Sequence, residues 1–271
     1  MGKILSVLSE LNKDFGSYCN FNLHLAKDNN QYLDFIYNYE VQTPVTPAPI
    51  TGSGLSYPES ISVNRNISHQ ERELKEFLLP YKKSYRKVNY LIGKGSLIDK
   101  VNIQTYKKNY FLCTMMKTND DSWWNVLFGT KETRLSKETE IPCLYIPYKF
   151  VYSKPRELMM FVNNYDREVF DKLKNIAQKL SLKVRIVVEN NIGRKHLKLI
   201  QAELANCHEF DTMIIELKPD QFEEHYFNAL VKKFKVDWIG FANYDKSLFE
   251  RLYSINENRL LLQSEIPTLI V

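Results

Sequence analysis

Two stretches of this chain close in the same way. Ile141-Pro142-Cys143-Leu144-Tyr145-Ile146-Pro147 and Ile266-Pro267-Thr268-Leu269-Ile270-Val271 are short apolar runs, each led by Ile-Pro. Proline has no backbone N–H and cannot continue a helix, but it can open a strand. Each run ends a longer segment of one plan: an apolar strand (Phe111 to Met116; Asp237 to Ala242), a polar loop, a helix and the closing strand. In the earlier copy the helix opens near Gly129-Thr130; in the later copy it covers Ser247 to Leu262. A strand that hands over to a helix N-terminus is where α/β proteins hold phosphate, because unpaired N–H groups and the helix dipole point at the ligand. The repetition constrains the fold more than any single motif: the chain is built twice.

The rest of the sequence supports this. In the first half, strands are expected at Lys3 to Leu8, Tyr32 to Tyr39 and Lys87 to Gly93, with helices at Ser17 to Lys27, from Ser68, and from Leu97 to about Lys107. Ser68-His69-Gln70-Glu71 has the chemistry of a helix N-cap with an acidic first turn. Gly93-Lys94-Gly95-Ser96 lacks the full phosphate-loop pattern and reads as a turn plus N-cap. Between the strand at Tyr32 and the helix from Ser68 lies a Pro-rich excursion, Gln42 to Asn64, with Pro44, Pro47, Pro49 and Pro58. In the second half, strands are expected at Glu157 to Val162, Lys183 to Glu189 and Asp211 to Leu217, and helices at Arg167 to Leu180, His196 to Leu204 and Asp220 to Phe234. Val169, Phe170, Leu173, Ile176, Ala177 and Leu180 recur at the spacing of one helical face. Alternation of strands and helices means right-handed β-α-β units and a parallel sheet covered on both faces. The fold class is therefore α/β: two doubly wound domains with mainly parallel five-stranded sheets, related by internal duplication. Domain 1 covers 1–148, with the Pro-rich excursion 42–64, and domain 2 covers 154–271, joined by a linker near Tyr148 to Pro155.

Composition narrows the function classes. With 44% apolar and 25% charged residues the chain is globular, and no apolar run reaches the ~18 residues of a membrane span. The net charge of +5 comes from basic residues interleaved with acids, a solvated surface rather than a nucleic-acid footprint. The four cysteines (Cys19, Cys113, Cys143, Cys207) and five histidines show no ligand spacing, so no metal site is expected. Cys113 and Cys143 fall in apolar strands, where a buried thiol is the natural state, and a reduced, cytoplasmic protein is the expectation. No G-x-S-x-G, H-E-x-x-H or Cys–His pattern is present, and an enzyme is not expected.

The repeated order resembles the universal stress protein family in a tandem two-domain form. The residues that carry the likeness are the opening strands Lys3-Ile4-Leu5 and Glu157-Leu158-Met159, the Gly129-Thr130 corner ahead of Pro142, the segment Asp237 to Leu252, and the two Ile-Pro-led closing strands. The resemblance implies that Cys143–Pro147 and Thr268–Val271 pair antiparallel, as in dimers of that family, making one chain an intramolecular pseudo-dimer. It also implies an ATP site: Gly-x-x-Gly, nine further residues, then Gly-Ser/Thr, with an Asp ending the first strand. These positions fall at Met116, Asn119, Gly129 and Thr130, with Ser9 in place of the Asp. Glycine permits positive φ and lets backbone N–H groups approach phosphate oxygens; Asn tolerates that conformation, and Met would crowd the phosphates.

The second half departs further. The motif positions fall near Phe241 or Ala242, Tyr244 or Asp245, and Ser254 or Ile255, none of them glycine, and the strand-one Asp becomes Asn163. Around the first site, Asp120-Asp121 read as helix-capping acids and Trp123-Trp124 as packing residues rather than a base-stacking platform. The expectation is a non-catalytic stress-response or regulatory protein with weak, altered or absent ATP binding and no cofactor, acting through a protein partner or self-association, with no role at a membrane or on nucleic acid. The alternative is a nucleotide-binding protein, a slow ATPase at most, that uses ATP in the N-terminal domain only.

Overall fold

The computed structural model describes residues 2–8, 15–39, 59–94, 96–116, 139–148, 150–162, 164–189, 192–217, 232–242 and 266–271. The first half runs β1 (Lys3–Leu8), α1 (Phe15–Asp28), β2 (Tyr32–Tyr39), α2 (Glu59–Ser84), β3 (Val88–Lys94), α3 (Leu97–Lys107), β4 (Tyr110–Met116) and β5 (Cys143–Ile146). The second half runs β6 (Glu157–Val162), α4 (Arg167–Leu180), β7 (Lys183–Glu189), α5 (Arg194–Ala205), β8 (Phe210–Leu217), β9 (Trp238–Phe241) and β10 (Thr268–Ile270).

The ten strands form a single sheet in the order β3-β2-β1-β4-β5-β10-β9-β6-β7-β8. Read outward from the middle, both halves have the same order, and every pairing within a half is parallel. The one antiparallel ladder joins them: Thr268, Leu269 and Ile270 of β10 lie against Tyr145, Leu144 and Cys143 of β5. The first helices of both halves, α1 and α4, bury their apolar faces in the same core layer. The pseudo-twofold axis therefore stands perpendicular to the sheet beside the Leu144–Leu269 pair. That layer is continuous, from Ile4, Phe15 and Phe35 through Leu144 and Leu269 to Trp238 and Phe210. A thinner layer with Leu5, Cys113, Cys143, Phe161 and Ile270 fills the opposite face, where α3 packs through Val101. The linker also crosses between halves: Phe150 and Tyr152 meet Phe21 edge-on at 5.7 and 5.4 Å, Tyr152 stacks on His24, and its hydroxyl donates to Asp28 at 2.9 Å.

Two elements differ from their sequence-based expectations. The second helix begins at Glu59, not Ser68, so its first turns absorb the end of the Pro-rich excursion. No glycine or proline stands between Glu59 and Leu79, and nothing in that stretch stops a helix, so the cap-like chemistry at Ser68 is overridden. Strand β4 carries a bulge: Lys3 faces Tyr110 but Ile4 faces Leu112, leaving Phe111 as the extra residue. Phe111 and Leu112 then both point into the larger core layer, which strict alternation forbids. The other expected elements agree to within about two residues wherever both ends are described. Ser96 caps α3 by accepting from the Asp99 N–H. The expected helix over Ser247 to Leu262 lies outside the described residues, as does most of the one over Asp220 to Phe234.

Register shows how the halves differ. Asp34 pairs with Leu5, the third residue of β1; Arg185 pairs with Met159, the third residue of β6. The same place in the fold thus holds opposite charges, each with its own partners. Asp34 is 2% exposed and accepts from Lys108 Nζ at 2.9 Å, the Tyr110 hydroxyl at 2.6 Å and Asn89 Nδ2 at 3.2 Å. Arg185 pairs with Glu157 at 3.0 Å and Asp211 at 2.6 Å, and its guanidinium lies 4.9 Å from the Phe234 ring centre. Burial pushes the Asp34 carboxyl up, but the three donors together outweigh it and hold it below its ordinary value. Its folded-state value is therefore below the unfolded one, near 3.9. The stabilisation is fully present above that pH and is lost as pH falls through the folded value. Asp34→Asn is expected to cost about 2 kcal/mol at neutral pH. In urea titrations the gap between the two proteins should hold constant above about pH 5 and shrink below pH 4.

Candidate functional site

In a doubly wound sheet, ligands bind beyond the carboxyl ends of the strands where the strand order reverses. In the first half that point lies between β1 and β4, which pair directly but whose connections leave in opposite directions. In the second half it lies between β6 and β9.

At the first switch point, Met116 is the last residue of β4. It pairs with Ile146 of β5, and its half-buried side chain packs on the larger core layer. Its backbone is thus extended and committed to the sheet. Ser9, Asn119, Gly129 and Thr130 lie outside the described residues, as do Asp120-Asp121 and Trp123-Trp124. Of the site residues expected at this switch point, Met116 alone lies among the described ones.

One turn below the strand ends is a polar layer that sequence reading missed. Ser6 of β1 and Thr114 of β4 are register partners, and both are fully buried. Above them lies α1, which contributes Tyr18 and Asn22, also buried. The Tyr18 hydroxyl donates to the Thr114 carbonyl at 2.7 Å and accepts from Ser6 Oγ at 3.0 Å. Thr114 Oγ1 donates to Asn22 Oδ1 at 2.7 Å, and Asn22 Nδ2 donates to the Tyr18 carbonyl at 2.9 Å. Burial holds the Tyr18 phenol far above its ordinary value, so it stays neutral. A buried network of this kind is stable only when each member is satisfied. The signal was present in the sequence as polar residues on apolar faces: Ser6 within KILSVL, Thr114 within FLCTMM, and Asn22 on the inner face of α1. Tyr18→Phe removes one donor and leaves the Thr114 carbonyl and the Ser6 hydroxyl short of a partner. A loss of about 2 kcal/mol of unfolding free energy is expected, read as a lower urea midpoint.

The second switch point has none of this. The register partners matching Ser6 and Thr114 are Met160 and Gly240. The left-handed residues that follow the first helices, Asn30 and Ser181, fix the alignment of those helices. Counting back equally from them sets Val169 and Leu173 against Tyr18 and Asn22. All four polar positions are apolar or glycine in the second half. Met160 fills the space that a side chain at Gly240 would need, and Leu158 and the Leu269 carbonyl lie 3.3 and 3.4 Å from where that Cβ would stand. Ala242 ends the site, buried, just past β9; Asn163, Tyr244, Asp245, Ser254 and Ile255 lie outside the described residues. Beyond β6 the Tyr165 N–H donates to His196 Nδ1 at 3.0 Å and the Tyr165 hydroxyl to Glu203 at 3.2 Å. Those bonds tie the loop after the strand down onto α5.

Among the described residues, no group of three or more His, Cys, Asp or Glu side chains is placed to hold a metal ion, and no helix is long and apolar enough to cross a membrane.

Solved structures share this architecture over the full chain. A universal stress protein from Archaeoglobus fulgidus DSM 4304 matches 99% of this chain and 95% of its own, with a TM-score of 0.60 and 11% identity. A candidate universal stress protein from Pseudomonas aeruginosa UCBPP-PA14 matches 99% of this chain and 92% of its own, with a TM-score of 0.56 and 11% identity. A functionally unknown protein from Pseudomonas aeruginosa PAO1 matches with the same coverage and identity at a TM-score of 0.54. No protein-family model and no curated protein matches the sequence. The chain has the α/β fold of universal stress proteins along its whole length.

Proposed function

We propose that this chain is a non-catalytic regulatory protein of the universal stress protein type, working through protein contacts rather than through a bound nucleotide. The observation that carries this reading is Met116. Where a nucleotide-binding relative needs a glycine free to turn under the phosphates, this chain has a strand residue paired to Ile146 and packed into the core. The second half supports the reading independently: its switch point is packed with Met160, Val169, Leu173 and Ala242. Its role is that of a fixed internal partner, a pseudo-dimer mate that covers the β5 edge of the first half. Isothermal titration of the full chain with ATP and with ADP, in the presence of Mg²⁺, tests the reading. No saturable heat is expected at micromolar concentrations; clear micromolar binding of either nucleotide would overturn it.

A second reading has one observation in its favour. The polar layer of Ser6, Tyr18, Asn22 and Thr114 lies under the first switch point only. On this reading the N-terminal half binds nucleotide at Gly129-Thr130, with slow hydrolysis at most. Gly129→Asp would then abolish binding by placing a carboxylate where phosphate sits, whereas binding that survives the change excludes that corner.

A further inference from the structure

We propose that Cys113 and Cys143 are a redox pair that closes, under hydroperoxide, into an intramolecular disulfide tying β4 to β5. Cys113 and Cys143 are register partners on adjacent parallel strands, and both side chains lie in the thinner core layer. Neighbouring strands stand about 4.8 Å apart, inside the Cα separation of about 4.4–6.8 Å that a disulfide spans. Both cysteines are free and fully buried. Strand spacing therefore allows the bond, which also needs a route for a small oxidant.

A surface groove comes close to the segment that carries Cys143. This open groove of about 350 Å³ lies beside α3, lined by Asn102, Thr105, Tyr106, Glu140 and Ile141. Its Glu140-Ile141 wall belongs to the short segment that carries Cys143. The Cys143 thiol donates to the Ile141 carbonyl at 3.6 Å and lies 3.7 Å from Thr139 Oγ1. A peroxide in the groove is thus separated from the thiol by one short, strand-free segment.

Position orders the two roles. The Cys143 thiol donates to the carbonyl of Ile141, a residue that lines the groove. Cys143 is the attacking group, as its thiolate, and Cys113 the resolving thiol. The Cys143 thiolate attacks one peroxide oxygen; the O–O bond breaks, Cys143 becomes a sulfenic acid, and the displaced hydroxide takes a proton to leave as water. Cys113 sulfur then attacks the sulfenic sulfur; the S–O bond breaks and a second water leaves with the Cys113 proton. In sum, two thiols and one hydrogen peroxide give one disulfide and two waters, with two electrons passing from sulfur to peroxide. Because Cys143 also faces Ile270 of β10, the crosslink sits one ladder from the joint between the halves.

The test is hydrogen peroxide treatment of the folded full chain, followed by alkylation and peptide mapping without reduction. The expected result is a Cys113–Cys143 crosslinked peptide, loss of two of the four titratable thiols, and full return on adding dithiothreitol. Cys19 and Cys207 should remain alkylatable. In Cys113→Ser the sulfenic acid has no resolving partner, and Cys143 should be trapped by dimedone. The proposal is overturned if the map shows both cysteines free after peroxide has modified Cys19 or Cys207. It is equally overturned if Cys143 is recovered as sulfinic acid with Cys113 unlinked. The wild-type map decides the matter even if the variant folds poorly.

Discussion

Leu269→Asp is expected to unfold both halves together, at a cost of about 4 kcal/mol or more. Leu269 is fully buried and is the central residue of β10. It stands between Leu144 of β5 and Gly240 of β9, beside the axis that relates the halves. Losing the side chain alone costs about 2–5 kcal/mol in a core of this kind, and an unpaired buried carboxylate adds to that. A domain's total stability is about 5–15 kcal/mol, so most of it is at stake. The larger core layer runs through this residue from one half to the other, so both halves share the loss. Hydrogen exchange followed by mass spectrometry checks this: amides of β1 and of β6 should lose protection to the same degree. If β1 stays protected while β6 opens, the halves are separately cored and the single-core description is wrong.

Gly240→Thr is expected to cost about 3 kcal/mol, and Met160→Ser in the same chain to recover at least about 1 kcal/mol of it. A Cβ at Gly240 runs into Met160 Sδ and presses on Leu158 and the Leu269 carbonyl. Overpacking of this kind costs about 1–3 kcal/mol, and the threonine hydroxyl arrives without a partner. The first half accepts Thr114 at the matching place because its neighbour is Ser6 rather than methionine. The double change transplants that pair, so the two effects should be strongly non-additive. Urea midpoints of the two single variants and the double variant measure the coupling. Simple additivity would mean that Met160 does not set the size limit at this position.

The fold was legible because its periodicities were strong and occurred twice. Arg167–Leu180 shows a one-sided apolar pattern, and its bounds match the observed helix residue for residue. The Ile-Pro-led closing strands gave the antiparallel joint through a resemblance, and the ladder between Leu144 and Leu269 is found there. The start of α2 was not legible, because a cap signal at Ser68 says nothing against a helix already under way. The bulge at Phe111 was hidden because every residue of FLCTMM except the threonine is apolar and carries no alternation to break. The polar layer was harder still. Ser6, Tyr18, Asn22 and Thr114 come from three separate elements, and single polar residues on apolar faces acquire meaning only when the fold sets them side by side. The reversed charges at Asp34 and Arg185 became comparable only through strand register.

The two halves share one scaffold and one continuous core layer, but differ in what fills the space under their strand ends. The first keeps a hydrogen-bonded layer under its strand ends; the second has filled the same space with Met160, Val169 and Leu173. Met116 completes the contrast: the residue that the resemblance sets at the first glycine of a phosphate cradle is a packed strand residue even in the half with the polar layer. Native mass spectrometry of the full chain, purified from cells with no nucleotide added, tests this most directly. The expected result is the mass of the bare polypeptide. A spectrum dominated by the polypeptide plus one ATP or ADP would contradict it.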